Sequence, residues 1–151
     1  ERAALRLDTS HTNVHQFRAI VNERLARRAS NQLSLQVCSF GFKNGVPPDA
    51  DFVFDLRCLP NPYWQPNLRE LTGRDQEIQD FLCGEELVEA MISDITDLMK
   101  KWIPRFETEN RSYLTVAVGC TGGRHRSVYV AERISVGFQN TYEILVVHRD
   151  S

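Results

Sequence analysis

Residues 119–128, GCTGGRHRSV, gather a cysteine, a threonine, two adjacent glycines, a histidine and two arginines between an apolar run at 113–118 and a helix-like run at 127–138. A helix that starts straight after a glycine-rich turn offers backbone N–H groups and the positive end of its dipole, which together favour an anion. Gly122 and Gly123 have no Cβ, so they can take positive φ and let an oxyanion approach the backbone. Thr121 and Ser127 bring hydroxyls, Arg124 and Arg126 permanent charge and forked donors, and His125 a donor when protonated. Every polar residue in the loop suits phosphate. The plainer alternative is a strand-to-helix turn whose glycines only solve a packing problem.

The same stretch satisfies a second pattern, Cys-x-x-Gly-x-x-Arg-Ser, through Cys120, Gly123, Arg126 and Ser127. Cysteine phosphatases use this spacing because the helix start and arginine that bind phosphate also lower the thiol pKa and yield a thiolate nucleophile. A general acid is needed as well, and Asp55 is the one candidate the sequence offers. The nucleotide-binding pattern GxxxxGK[ST] does not occur.

At 151 residues, 42% apolar and 25% charged, the chain is long enough for one domain with a substantial core. A formal charge of -2 supplies no global pull toward polyanions, so anion binding has to rest on a local patch such as Arg124-His125-Arg126. Cys38, Cys58, Cys83 and Cys120 are scattered, with no CxxC pair and no histidines at zinc spacing, so no metal site is expected. Cys38 and Cys83 lie in runs that read as core. No apolar run is long enough to span a bilayer. These features suit a cytoplasmic protein with reduced thiols. The sequence starts without methionine inside what reads as a structural element, the expectation for a fragment.

Residues 3–7 read as the end of a strand, and Val14, Phe17, Val21 and Leu25 as an amphipathic helix reaching about Arg28. With the polar stretch that follows, residues 1–32 read as the remnant of a preceding domain plus linker, and 33–151 as the functional domain. Leu33, Leu35 and Val37 alternate with polar neighbours, predicting a strand with one wet face. Residues 52–56 predict a short strand, and the prolines of 59–66 exclude regular structure just beyond it. Ile78, Phe81 and Leu82 predict a short helix. Leu87, Met91, Ile95, Leu98, Trp102 and Phe106 predict the core stripe of a long one, which Pro104 should end or kink. A buried strand at 113–118, the glycine loop, a helix from about His125 and a last strand at 142–147 complete an α/β layered domain: a mostly parallel central sheet flanked by helices, with the anion loop at a strand-to-helix junction.

Three stretches together resemble one family. These are 39–64 (SFGFKNGVPPDADFVFDLRCLPNPYW), Thr72-Gly73, and 110–133 (NRSYLTVAVGCTGGRHRSVYVAER). They are similar to the C-terminal domain of the RapZ/YvcJ family, whose members place it behind an N-terminal P-loop NTPase domain; residues 1 to about 28 resemble the end of that domain. The resemblance implies a catalytically inert regulatory domain of an RNase adapter protein. Such a protein binds small regulatory RNA, presents it to an endoribonuclease and senses glucosamine-6-phosphate, as a homo-oligomer without membrane attachment. It implies no cofactor in this chain, ATP or GTP belonging to the N-terminal domain alone. The implied cradle is Cys120, Thr121, Gly122, Gly123, Arg124, His125, Arg126 and Ser127. Asp55, in the family's Phe-Asp-x-Arg motif, is the implied partner for sugar amine or hydroxyls. Lys43, Arg57, Asn61 and Tyr63 stand in matching loops as further ligand candidates, Tyr63 where some members carry histidine.

Overall fold

A computed structural model describes residues 6–8 and 33–151. The expected helix at 14–28 lies outside the described residues. Five strands form one all-parallel sheet in the order β1-β5-β2-β4-β3: β1 (Arg6–Asp8), β2 (Ser34–Gly41), β3 (Phe52–Asp55), β4 (Tyr113–Cys120) and β5 (Glu143–His148). Three helices flank it: α1 (Gln76–Cys83), α2 (Glu86–Thr108) and α3 (Arg126–Phe138). Their buried residues form one core with Leu35, Val37, Leu114, Val116, Val118, Ile144 and Val146 on a single face of the sheet. Cys38, Phe40, Ala117 and Val147 point to the other face and pack with Phe42 and Ala50.

The strand expected to have a wet face has none: all eight residues of β2 are buried. It lies between β5 and β4, and its polar side chains are covered by partners on those neighbours. The Thr115 hydroxyl donates to Gln36 Oε1 at 2.7 Å, and Ser39 Oγ lies 2.8 Å from His148 Nδ1. The His148 ring continues to Glu132 Oε2 on α3 at 2.7 Å. Alternation reports which residues share a face, and pairing lets most of these polar groups be buried, Gln36 Nε2 being left without a partner.

Helix α2 corrects two further expectations. Its buried stripe is Val88, Ile92, Ile95, Met99 and Ile103; of the expected stripe, Ile95 is buried and Met91 and Phe106 pack partly buried against the core, whereas Leu87, Leu98 and Trp102 are exposed. Two apolar stripes run side by side along this helix, and both satisfy the three-and-four spacing, so periodicity alone does not choose between them. Pro104 does not end the helix, which continues to Thr108. The carbonyl that loses its donor to Pro104 is that of Lys100, on the exposed side where water can serve it. The actual stop is Asn110 at φ 65°, with Asn110 N–H donating to the Glu107 carbonyl and Arg111 N–H to that of Phe106. This is the double closure that asparagine permits at a helix end. Cys83, expected in the core, is exposed at the end of α1, while Cys38 is buried as anticipated. Beyond β3, residues Pro62–Trp64 form a single 3₁₀ turn in the stretch where the prolines exclude longer elements.

Candidate functional site

The carboxyl ends of β2 and β4 meet where β4 passes into α3, and the loops at this edge surround an open cavity of about 400 Å³. A crevice beyond the strand ends of a parallel sheet is where such folds bind ligands. Six of the eight expected cradle residues line it: Cys120, Thr121, Gly122, Arg124, His125 and Arg126. Lys43, Asn61 and Tyr63 line it too, together with Trp64 and Arg69, which no motif had singled out. The lining holds four permanent cations and no carboxylate.

The two glycines divide the work differently from expectation. Only Gly123 takes positive φ, at 80°, and a Cβ there would meet Gly41 N at 2.6 Å. Gly122 does not need it. A side chain at Gly122 would have only Lys43 Nζ within 4.0 Å, so this residue keeps the cavity floor open. The loop is further tied by Lys43 N–H donating to the Thr121 carbonyl at 3.2 Å and Gly73 N–H donating to that of Arg124 at 2.8 Å. Arg124 Nη2 donates in turn to the Glu70 carbonyl at 2.7 Å.

Arg126 is almost fully buried at the first position of α3. Its Nη1 donates to the carbonyls of Arg57, at 3.1 Å, and Leu59, at 2.9 Å, while Nε has no partner. The carbonyls hold the guanidinium in place and leave other donors of its fork unspent, in a position to grip an anion without further ordering. Around it, the first N–H groups of α3 have no intrahelical acceptor, as at any helix start.

His125 is likewise buried, with Nε2 unpartnered. Burial pushes the imidazole below the usual histidine range; the Arg124 and Arg126 charges add to this, and the backbone carbonyls of Leu71 and Arg69 oppose it. The folded pKa is thus below the unfolded one, so this group's contribution to stability is complete above about pH 6.5 and lost progressively below it, as pH falls through the folded value. A phosphate oxygen at Nε2 would favour the imidazolium, so binding would take up a proton and tighten as pH falls toward the ordinary histidine range. His125→Gln is expected to bind a phosphate ester about tenfold more weakly, the scale of one charge-assisted hydrogen bond. Titrations at several pH values should also show a flatter profile for the variant.

Four expected site residues sit elsewhere. Ser127 is fully buried and accepts from Cys120 Sγ at 3.2 Å, so its hydroxyl serves the thiol instead of the cavity. Gly123 packs beneath the loop. Asp55 and Arg57 form an exposed pair, Arg57 Nη2 to Asp55 Oδ2 at 2.7 Å, outside the cavity lining. The Arg57 guanidinium, which also stacks on Phe42 at 3.9 Å, holds the Asp55 carboxyl below the usual carboxylate range. Asp51 pairs with Arg111 at 2.8 Å. Arg69 escaped notice because its place depends on a fold-back: it reaches six residues upstream to the Tyr63 carbonyl at 3.1 Å and lies over the Tyr63 ring at 4.7 Å. No periodicity encodes that contact.

Among the described residues no His, Cys, Asp or Glu cluster is placed to hold a metal ion, and no helix is long and apolar enough to cross a membrane.

A family model described as the RapZ C-terminal domain matches residues 33–151. The chain is 53% identical over 140 residues to a nucleotide-binding protein of Thioalkalivibrio sulfidiphilus, an alignment covering 93% of the chain and 49% of that relative. It is 50% identical over 151 residues to a nucleotide-binding protein of Nitrosococcus oceani, covering 99% of the chain and 54% of the relative. A Pseudomonas putida nucleotide-binding protein is 49% identical over 149 residues, covering 98% and 52%. The chain spans about half the length of the curated relatives it matches.

Proposed function

The chain belongs to the RapZ C-terminal domain family, and on that premise we propose that it is the regulatory, ligand-sensing part of an RNase adapter-type protein, with an amino-sugar phosphate, glucosamine-6-phosphate, as its effector. The observation that carries this reading is the cavity of about 400 Å³ at a helix start, lined by Lys43, Arg69, Arg124 and Arg126 without a carboxylate. Such a lining suits a phosphate dianion, and its volume lies within the range of small-molecule sites. Small regulatory RNA and an endoribonuclease are the partners this reading brings with it, in a cytoplasmic homo-oligomer. Nucleotide binding, in the printed names of the relatives, would fall to a part of the protein beyond this domain.

The sugar's ammonium needs an acceptor, and Asp55, outside the lining but close enough for the Arg126 charge to act on its carboxyl, is the candidate. Its pair with Arg57 is about half exposed on both sides. Exposed pairs of this kind contribute little, so an ammonium can compete with Arg57 for the carboxylate at small cost. Wild-type protein should therefore be stabilised against heat by glucosamine-6-phosphate more than by glucose-6-phosphate. Asp55→Asn should bring the two ligands to parity, with the amino sugar losing about tenfold in affinity, the scale of one hydrogen bond to a charged group. Equal response of wild type to both sugars would remove Asp55 from the site.

A cysteine-dependent phosphatase using Cys120 and Arg126 is the second reading, favoured by the presence of both residues in the lining. It is the weaker one. Cys120 Sγ is buried and donates to Ser127, and Asp55, its nominated acid, is held by Arg57 outside the lining.

A further inference from the structure

Trp64 is 74% exposed, the most exposed of the large apolar side chains among the described residues, and it lines the anion cavity. An indole left in water forgoes a large burial gain, yet the segment carrying it is stiffened rather than loose. Asn61 Oδ1 accepts from Tyr63 N–H at 3.1 Å, and Gln65 N–H donates to the Pro62 carbonyl at 2.9 Å. The Tyr63 and Trp64 rings meet edge to face at 5.6 Å, with Arg69 over the Tyr63 ring. A rigid, preorganised aromatic surface therefore faces the same space as the anion cradle. A bare phosphate would occupy a small part of that space.

Resting on the phosphosugar reading, we infer that Trp64, backed by Tyr63, is the specificity-determining platform of this cavity: it stacks on the ring of a phosphate monoester whose phosphate lies at the α3 start. The C–H face of a pyranose and the flat face of a nucleobase both suit an indole, so the ligand class is a ring-bearing phosphate monoester. The cradle supplies affinity for any phosphate, and the platform supplies the preference for one that carries a ring.

The test uses Trp102→Phe as background, because Trp102 is the other tryptophan and lies on α2 away from the cavity. Glucosamine-6-phosphate, adenosine monophosphate and inorganic phosphate are titrated separately, reading heat and Trp64 fluorescence. The expected result is a Trp64 emission change with a ring-bearing ligand and none with inorganic phosphate. Trp64→Ala should then lose about tenfold in affinity for the ring-bearing ligand and none for phosphate, the scale of one aromatic contact. Unchanged affinity of Trp64→Ala for glucosamine-6-phosphate, with selectivity over phosphate retained, overturns the platform and leaves the phosphosugar reading intact. Tryptophan-dependent preference for adenosine monophosphate over the sugar phosphate supports the platform and overturns the sugar. Wild-type affinity equal for all three ligands overturns both.

Discussion

Replacing Arg126 with alanine is expected to weaken glucosamine-6-phosphate binding by about a hundredfold, corresponding to the loss of charge-assisted hydrogen bonds worth about 1.5–3 kcal/mol apiece. The side chain lines the cavity, is almost fully buried with Nε unpartnered, and is already held by the carbonyls of Arg57 and Leu59. Removing it also leaves those two carbonyls without their donor. A concurrent stability loss of about 1–3 kcal/mol is expected for the same reason. Arg126→Lys separates the two effects, because it keeps the charge and forfeits the fork. The lysine variant should fold nearly as well as wild type and bind with intermediate affinity, by thermal unfolding and calorimetry respectively. Wild-type affinity in the alanine variant would show that the anion sits elsewhere.

Gly41→Ala is expected to damage the site from below, although Gly41 itself does not line the cavity. Gly41 ends β2 at φ -108°, a conformation open to any residue, so the objection to a side chain is space alone. A Cβ there would stand 2.4 Å from the Gly122 carbonyl carbon and 2.8 Å from Gly123 N, both backbone atoms of the anion loop. Neither can swing aside as a side chain would. The Gly41 N–H also donates to Asp150 Oδ2 at 2.7 Å, which fixes the β2 end against the C-terminal turn. Overpacking of this kind costs about 1–3 kcal/mol, so the melting temperature should fall by about 5 °C. Phosphate-ester affinity should fall at least tenfold, since the loop must move to admit the methyl group. A variant with wild-type melting temperature and affinity would mean the β2 end and the loop are not in this contact.

What the sequence disclosed and what it withheld divide along a physical line. The strand-loop-helix around 119–128 was legible because one continuous segment carries both the glycine chemistry and the anion donors. The parallel sheet was legible from buried runs separated by helical periods. The lining residues Arg69 and Trp64 were not assigned a role, because their position depends on the turn at 61–65 folding back toward the cavity, a long-range outcome with no local period. The buried face of α2 was read only in part, through Met91, Ile95 and Phe106, because two equally periodic stripes lie next to each other and the choice belongs to the partners across the interface. Asp55 illustrates a third limit. Its motif placed it at a strand end near the loop, but its present partner is Arg57, two residues away, which the sequence offered only as a ligand candidate.

Calorimetric titration of glucosamine-6-phosphate into this chain, with inorganic phosphate and glucosamine as controls, tests the central claim most directly. Binding of the whole phosphosugar tighter than either fragment is the predicted result, because cradle and platform act on one molecule. Equal affinity for inorganic phosphate, or no binding of the phosphosugar at all, would contradict it.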